Sequence, residues 1–281
     1  MSQSGIGVEF AGDMARIARI QNVDTGPCVT LRTVPIIDVR NSIGRDESPV
    51  TIATDDRSSN VRIVRPAIVG PELERDAAEY EARVAMLGKH SDHQIDVNHI
   101  GNADDPRAWL AVSTHSRTAS AAVEKVSENL SSVSALHIPR SVALGRGYIF
   151  GCDTKLGSTA VVIQPYETAS SICFVNGCAI VGTAQLRGLP QTESNDAALA
   201  AWFAELQMIA QYRLSTDLLA TVGSGDSQYV WAGEPNLAAK FRDLTGAEII
   251  PANPQVIDFS PESETSLFTA DWLVALGAAL N

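Results

Sequence analysis

Lys155-Leu156-Gly157-Ser158-Thr159-Ala160-Val161-Val162-Ile163 runs from a small, permissive turn into a β-branched strand, and two further strand-like runs follow, Ser170 to Val175 and Ala179 to Leu186. Asn176-Gly177 separates those two runs. Asn-Gly is the strongest short signal for a type I′ hairpin, because both residues tolerate φ > 0. The stretch therefore reads as a three-strand meander. Its Gly157-Ser158-Thr159 entrance leaves backbone N–H groups and hydroxyls bare at the head of a sheet, a place that suits a phosphate or another anion. An ordinary antiparallel meander with a tight entry explains the same residues, since a single glycine motif is weak.

Upstream, Leu136 to Gly147 reads as a helix broken at Pro139, followed by a strand over Tyr148 to Cys152. Farther back, Pro71 opens a helix over Glu72 to Leu87 that places Leu73, Ala77, Tyr80 and Val84 at i, i+4, i+7 and i+11, one apolar stripe. Gln94 to Ile100 and Ala108 to Thr114 are short strands about the turn-forming Gly101 to Pro106, and Arg117 to Leu130 is a second helix burying Val123, Val126 and Leu130. Together they make 72–134 a compact insert. At the N-terminus, Gly5 to Phe10 and Met14 to Gln21 read as strands joined by Ala11-Gly12-Asp13, with a third strand at Cys28 to Val34. Between Asp38 and Asn60 there is little periodicity, and Arg40 to Pro49 reads as a loop before a strand over Val61 to Val69. His90, His93 and His99 lack cysteine partners or a carboxylate pattern, so they read as loop and strand histidines rather than metal ligands.

Downstream of the meander, Thr192 to Asn195 offers polar caps for a helix over Asp196 to Arg213. Leu218 to Val222 reads as a strand that stops at Gly223-Ser224-Gly225-Asp226. Asn236 to Thr245 is a helix closed by Gly246 as a left-handed cap, and Glu248 to Ile250 is the next strand. Asp271 to Leu280 forms a terminal helix in which Gly277 and Ala278 allow close backbone approach.

The chain of 281 residues is long enough for two domains of about 100–150 residues, each with its own core. With 45% apolar and 19% charged residues the composition is that of a folded protein. A net charge of −12 argues against a nucleic-acid partner and against adhesion to an anionic membrane. No window is apolar over the roughly 20 residues that a spanning helix needs, and the N-terminus lacks a basic region followed by an apolar core. A cytoplasmic location is therefore expected. Cys28, Cys152, Cys173 and Cys178 show no CxxC spacing and read as buried, reduced thiols.

Three glycine elements recur in one order: a β-turn-β at the N-terminus, a second near the middle, and a late strand-to-glycine turn. This order resembles the actin-like ATPase superfamily, and within it the PilM branch of type IV pilus platforms, whose close relative is the cytoplasmic domain of GspL in type II secretion. The resemblance implies an α/β, ribonuclease H-like two-domain fold with a PilM-type inserted subdomain and a reduced second domain. Domain I is expected at 1–71, 135–152 and 265–281, the insert at 72–134, and domain II at 153–264. It places Glu9, Gly12, Asp13 and Arg16 on a first phosphate loop, Gly157, Ser158 and Thr159 on a second, and Gly223, Ser224 and Gly225 on an adenosine turn.

Departures from that pattern bear on activity. Glu9 stands where the family has Asp, Ala11 where it has Gly, and Arg16 where it often has Lys. Lys155 falls at the metal-orienting Asp of the second loop, with Asp153 two residues earlier, and an ammonium there removes a hard oxygen ligand that Mg²⁺ requires. The expectation is a degenerate ATPase without catalytic residues, cofactor or metal, acting as a scaffold; a nucleotide-binding ATPase holding Mg-ATP at a modified site is the alternative. The resemblance further implies, as partners, the cytoplasmic segment of a single-pass inner-membrane protein and a secretion or pilus motor ATPase. The chain would then sit at the inner membrane through its partner, without inserting.

Overall fold

The computed structural model describes residues 4–23, 26–44, 49–67, 70, 73–87, 92–100, 106–115, 135–152, 159–190, 195–213, 227–253, 258–259 and 270–280. Strands β1 (Gly5–Ala11), β2 (Met14–Val23) and β3 (Gly26–Pro35) form an antiparallel meander. Helix α1 (Val39–Ile43) follows, and β4 (Val50–Thr54) then lies parallel to β1. All five residues of β4 are buried, so it shows no alternation and falls within a stretch that reads as aperiodic from the sequence. Ile6, Val8, Ala15, Ile17, Val50 and Ile52 pack against Val39 and Ile43 on one face of this sheet.

The opposite face explains the Gly-Ile-Gly-Val start of β1. Helix α6 (Leu273–Ala279) packs on β1, β2 and β4. A Cβ on Gly5 would meet the carbonyl of Ala279, and one on Gly7 the carbonyl of Ala275. Glu9 continues this row of alternate residues.

Two further strands complete the sheet. β8 (Ala135–Pro139) pairs in parallel with β4, and β14 (Asp258–Phe259) pairs in parallel with β3. Helix α3 (Arg140–Gly151) then leads away. Here the structure corrects the sequence reading: Leu136 to Pro139 is strand, and Tyr148 to Gly151 is helix. Pro139 ends the strand and starts the helix, since its fixed φ suits the residue at a helix entrance.

β9 (Thr159–Gln164), β10 (Ala169–Asn176) and β11 (Ala179–Arg187) are the meander read from the sequence. Its tip differs in detail. Asn176 still pairs with Ala179, and the two turn residues are Gly177, at φ 57°, and Cys178, with φ negative. Glycine first in a two-residue turn belongs to type II′, not I′. Helix α4 (Asp196–Arg213) precedes β12 (Gln228–Trp231), which pairs in parallel with β9; α5 (Pro235–Thr245) precedes β13 (Ile249–Pro251), which pairs with β12. The two sheets thus repeat one wiring, a meander, a helix and a parallel strand beside the first. Trp202, Phe203, Trp231 and Phe241 fill the outer face of the second sheet. Its inner face packs on α3, which lies against α6.

The third sheet comprises β5 (Ser59–Val64), β6 (His93–His99) and β7 (Trp109–His115) in the antiparallel order β5-β7-β6. β5 therefore belongs to the inserted sheet, although the sequence reading began the insert at 72. Helix α2 (Glu74–Leu87) seats on this sheet through Ala78 and Ala82, beside Val64, Val97 and Ala111. The stripe of Leu73, Tyr80 and Val84 faces solvent. The helix read at Arg117 to Leu130 and the strand read at Leu218 to Val222 lie outside the described residues.

Candidate functional site

The inner faces of the two large sheets bring a polar cluster together. Glu9 on β1 is fully buried and stands opposite Arg16 on β2 in the antiparallel register. Arg16 Nη1 lies 3.4 Å from Glu9 Oε2, and the same guanidinium reaches the carbonyl of Asp271 at 3.3 Å and its carboxylate at 3.6 Å. From the second unit, the hydroxyl of Tyr166 donates to Glu9 Oε1 at 2.6 Å. Arg140, the first residue of α3, lies 4.5 Å over the Tyr166 ring and donates to the carbonyl of Phe10 at 2.6 Å. Gln164 Nε2 donates to the carbonyl of Asp271 at 3.1 Å. Burial pushes the Glu9 carboxyl above its ordinary value, and Arg16, the Tyr166 hydroxyl and Arg140 offset this only in part. Burial and the neighbouring Glu9 push the Tyr166 phenol well up.

A second set of bonds crosses beside the first. Asp56 opens a single 3₁₀ turn, Asp56–Ser58, after β4. Its Oδ1 accepts the backbone N–H of Ser141 at 2.9 Å and the Ser141 hydroxyl at 2.8 Å, while Oδ2 accepts the Ser171 hydroxyl from β10 at 2.5 Å. Pro139 provides no side-chain cap for α3, so Asp56 caps that helix from another element. Asp55 accepts from Gln185 on β11 at 3.3 Å. Burial pushes the Asp56 carboxyl up despite its three donors.

Of the residues singled out in the sequence, Gly12 and Asp13 form the exposed turn between β1 and β2, with Gly12 at φ 62°. Glu9 and Arg16 meet in the cluster. Thr159 starts β9 and is buried, with its Oγ1 lacking a hydrogen-bond partner; it shares the strand face of Val161 and Ile163, away from the seam. Gly157, Ser158, Gly223, Ser224 and Gly225 lie outside the described residues, as do Asp153 and Lys155. By strand order the turn equivalent to Gly12-Asp13 is 165–168, between β9 and β10, which is where Tyr166 sits. The sequence reading missed Tyr166, Gln164, Arg140, Asp56 and Ser171. Aligning the halves by strand order rather than by glycines would have pointed to Gln164 and Tyr166.

Among the described residues no group of three or more His, Cys, Asp or Glu could hold a metal ion. His93 contacts the Ser113 hydroxyl and His99 the carbonyl of Pro106; His90 lies outside the described residues. Cys152 and Cys173 are buried thiols, Cys152 pushed up to about 12 by burial, whereas Cys178 is exposed in its turn and Cys28 half-buried. Turn geometry puts Cys178 outside, because residues at a tight hairpin tip have no layer above them. No helix among the described residues is long and apolar enough to cross a membrane.

No family model matches the chain, and no curated protein matches it. Solved structures do. A chain of the PilM-PilN type IV pilus biogenesis complex superposes with a TM-score of 0.68 at 14% identity, covering 98% of this chain and 97% of that one. The cytoplasmic domain of EpsL, an inner-membrane component of the type II secretion system of Vibrio cholerae, superposes with a TM-score of 0.52 at 8% identity, covering 99% and 96%. Repeated meander, inserted three-stranded sheet and returning terminal helix together give this chain an α/β actin-like fold of the kind seen in the PilM-PilN complex and in EpsL.

Proposed function

We propose that the chain is an actin-like scaffold of a type IV pilus or type II secretion assembly platform, which docks the cytoplasmic segment of an inner-membrane partner and does not hydrolyse ATP. The observation that carries this is the bond from Tyr166 to Glu9. The turn after β1 is where the resemblance places its first phosphate loop, the turn after β9 is its counterpart by strand order, and a phenol, a carboxylate and the Arg140 guanidinium fill the seam between these two turns. A buried carboxyl facing the seam repels a polyphosphate unless a cation intervenes.

Docking is supported by the outer edge of the first sheet. Among the described residues β8 is the last strand of that sheet, Leu136 on it is 53% exposed, and Asp96 of β6 acts electrostatically on His137 and Arg146. Such an edge beside apolar and charged side chains suits an extended peptide. Titration with Mg-ATP is the direct test, and no binding heat is expected. Micromolar affinity abolished by Gly157→Val or Gly225→Val would restore the ATPase reading. For docking, one single-pass membrane protein should copurify with the intact chain and be lost with Leu136→Glu; equal recovery by both would place the dock elsewhere.

A further inference from the structure

Helix α2 wears its apolar residues in an unusual order for a helix that covers a sheet. The small side chains Ala78 and Ala82 face the strands, while Leu73, Tyr80 and Val84 are 56%, 67% and 60% exposed, with Ala77 between them. Burying large side chains is what stabilises a helix on its own core, so this outer row contributes nothing to the fold as it stands. Its spacing of four, three and four residues is the d-a-d-a seam of a two-helix contact. The flanks differ. Glu74 and Glu81 follow the two d positions and make one edge acidic along its length; Asp76 and Arg83 precede the two a positions and make the other edge mixed.

We propose that this face docks an amphipathic helix of another protein, one whose apolar stripe carries Lys or Arg along a flank. The charges select that occupant. Two copies of this chain packed antiparallel would set Asp76 of one against Arg83 of the other, yet set Glu74 against Glu81 twice. Packed parallel, they would set Asp76 against Glu81. A basic flank satisfies Glu74 and Glu81 together, and it is drawn in by the net charge of −12. The surface is separate from the seam and from the β8 edge, and it holds whether or not the scaffold reading does.

Two synthetic helical peptides of one length test this, with the same leucine seam and either Lys or Glu at the flanking positions, labelled and titrated with the full chain by fluorescence anisotropy. The Lys peptide should bind about tenfold more tightly or better at low salt, weakening as salt rises. Tyr80→Ser and Val84→Ser should abolish binding with the melting temperature unchanged, and Glu74→Lys with Glu81→Lys should reverse the preference between peptides. Equal binding of both peptides, binding indifferent to Tyr80→Ser, or no binding at all would overturn the proposal. So would a concentration-dependent dimer in sedimentation that Tyr80→Ser dissolves, since the face would then belong to a second copy.

Discussion

Replacing Tyr166 with Phe removes one atom from the seam and leaves the ring under Arg140 in place. The lost hydroxyl is the donor to Glu9 Oε1 at 2.6 Å, and Glu9 is fully buried with Arg16 as its other partner at a longer 3.4 Å. A hydrogen bond to an ionisable acceptor contributes about 1.5–3 kcal/mol, and an orphaned buried acceptor loses its solvation as well. The expected loss is about 2 kcal/mol, or roughly 3–4 °C in melting temperature for a chain of this size. The loss depends on pH in a definite direction. Burial already holds the Glu9 carboxyl above its ordinary 4.5, so the folded protein binds that proton more tightly than the unfolded chain and its stability falls as pH rises. The Tyr166 bond acts against burial, and deleting it raises the carboxyl further. Tyr166→Phe should therefore cost more at pH 8 than at pH 5, measured by urea unfolding. In a Glu9→Gln background, where the acceptor is neutral, the same substitution should cost about 1 kcal/mol with no pH dependence. A loss below about 0.5 kcal/mol at pH 8, or equal losses at both pH values, would refute the idea that this bond closes the seam.

Three other perturbations test the packing and the electrostatics. Gly277→Ala places a Cβ against the carbonyl of Ala143 where α6 crosses α3, and calorimetry should show a loss of about 1–3 kcal/mol; an unchanged melting temperature would mean that the helices do not meet there. Gly177→Val forces a β-branched residue to positive φ at the β10–β11 turn, with an expected loss of about 1–3 kcal/mol in urea unfolding, and full retention of stability would count against the turn. Because burial holds the Asp56 carboxyl up, stability should decline as pH climbs above 3.8, and Asp56→Asn should flatten that decline between pH 4.5 and 8; an identical slope in the variant would assign it to other groups.

The meander, the N-terminal hairpin and the long helices were legible because their signals are local. Alternation, a glycine at a hairpin tip and left-handed Gly246 each report on a few adjacent residues, although the tip formed as Gly177-Cys178 and not as Asn176-Gly177. β4 was not legible, because a parallel strand buried on both faces has no period to detect. The orientation of α2 was misleading for a different reason: an apolar stripe announces a face that needs covering, and the sequence does not say by what. Within the site, Glu9 and Arg16 sit in the first hairpin and were found from it. Tyr166 and Asp56 meet their partners from distant elements, Glu9 on β1 and Ser171 on β10, and nothing in their neighbourhoods marks them.

The bonds across the seam share one polarity, and this bears on what the fold can still do. The first unit supplies carboxylates, Glu9, Asp55 and Asp56, and the second supplies donors, Tyr166, Gln185 and Ser171. The first-unit donors at the seam, Arg16 and Arg140, are engaged with Glu9, Asp271 and Phe10, so a phosphate entering there would have to displace those partners. Opening the seam breaks the bonds from Tyr166, Gln185 and Ser171 to the carboxylates, each contributing about 1.5–3 kcal/mol, so together they favour the closed form by roughly 4.5–9 kcal/mol. At a factor of ten for every 1.4 kcal/mol, the open form is roughly one molecule in a thousand or fewer, and any ligand that requires it loses affinity by that factor. A partner that binds the outside of the closed form, at the β8 edge or on α2, loses nothing. These energetics support the proposed reading of the chain as a docking body rather than a nucleotide-driven clamp.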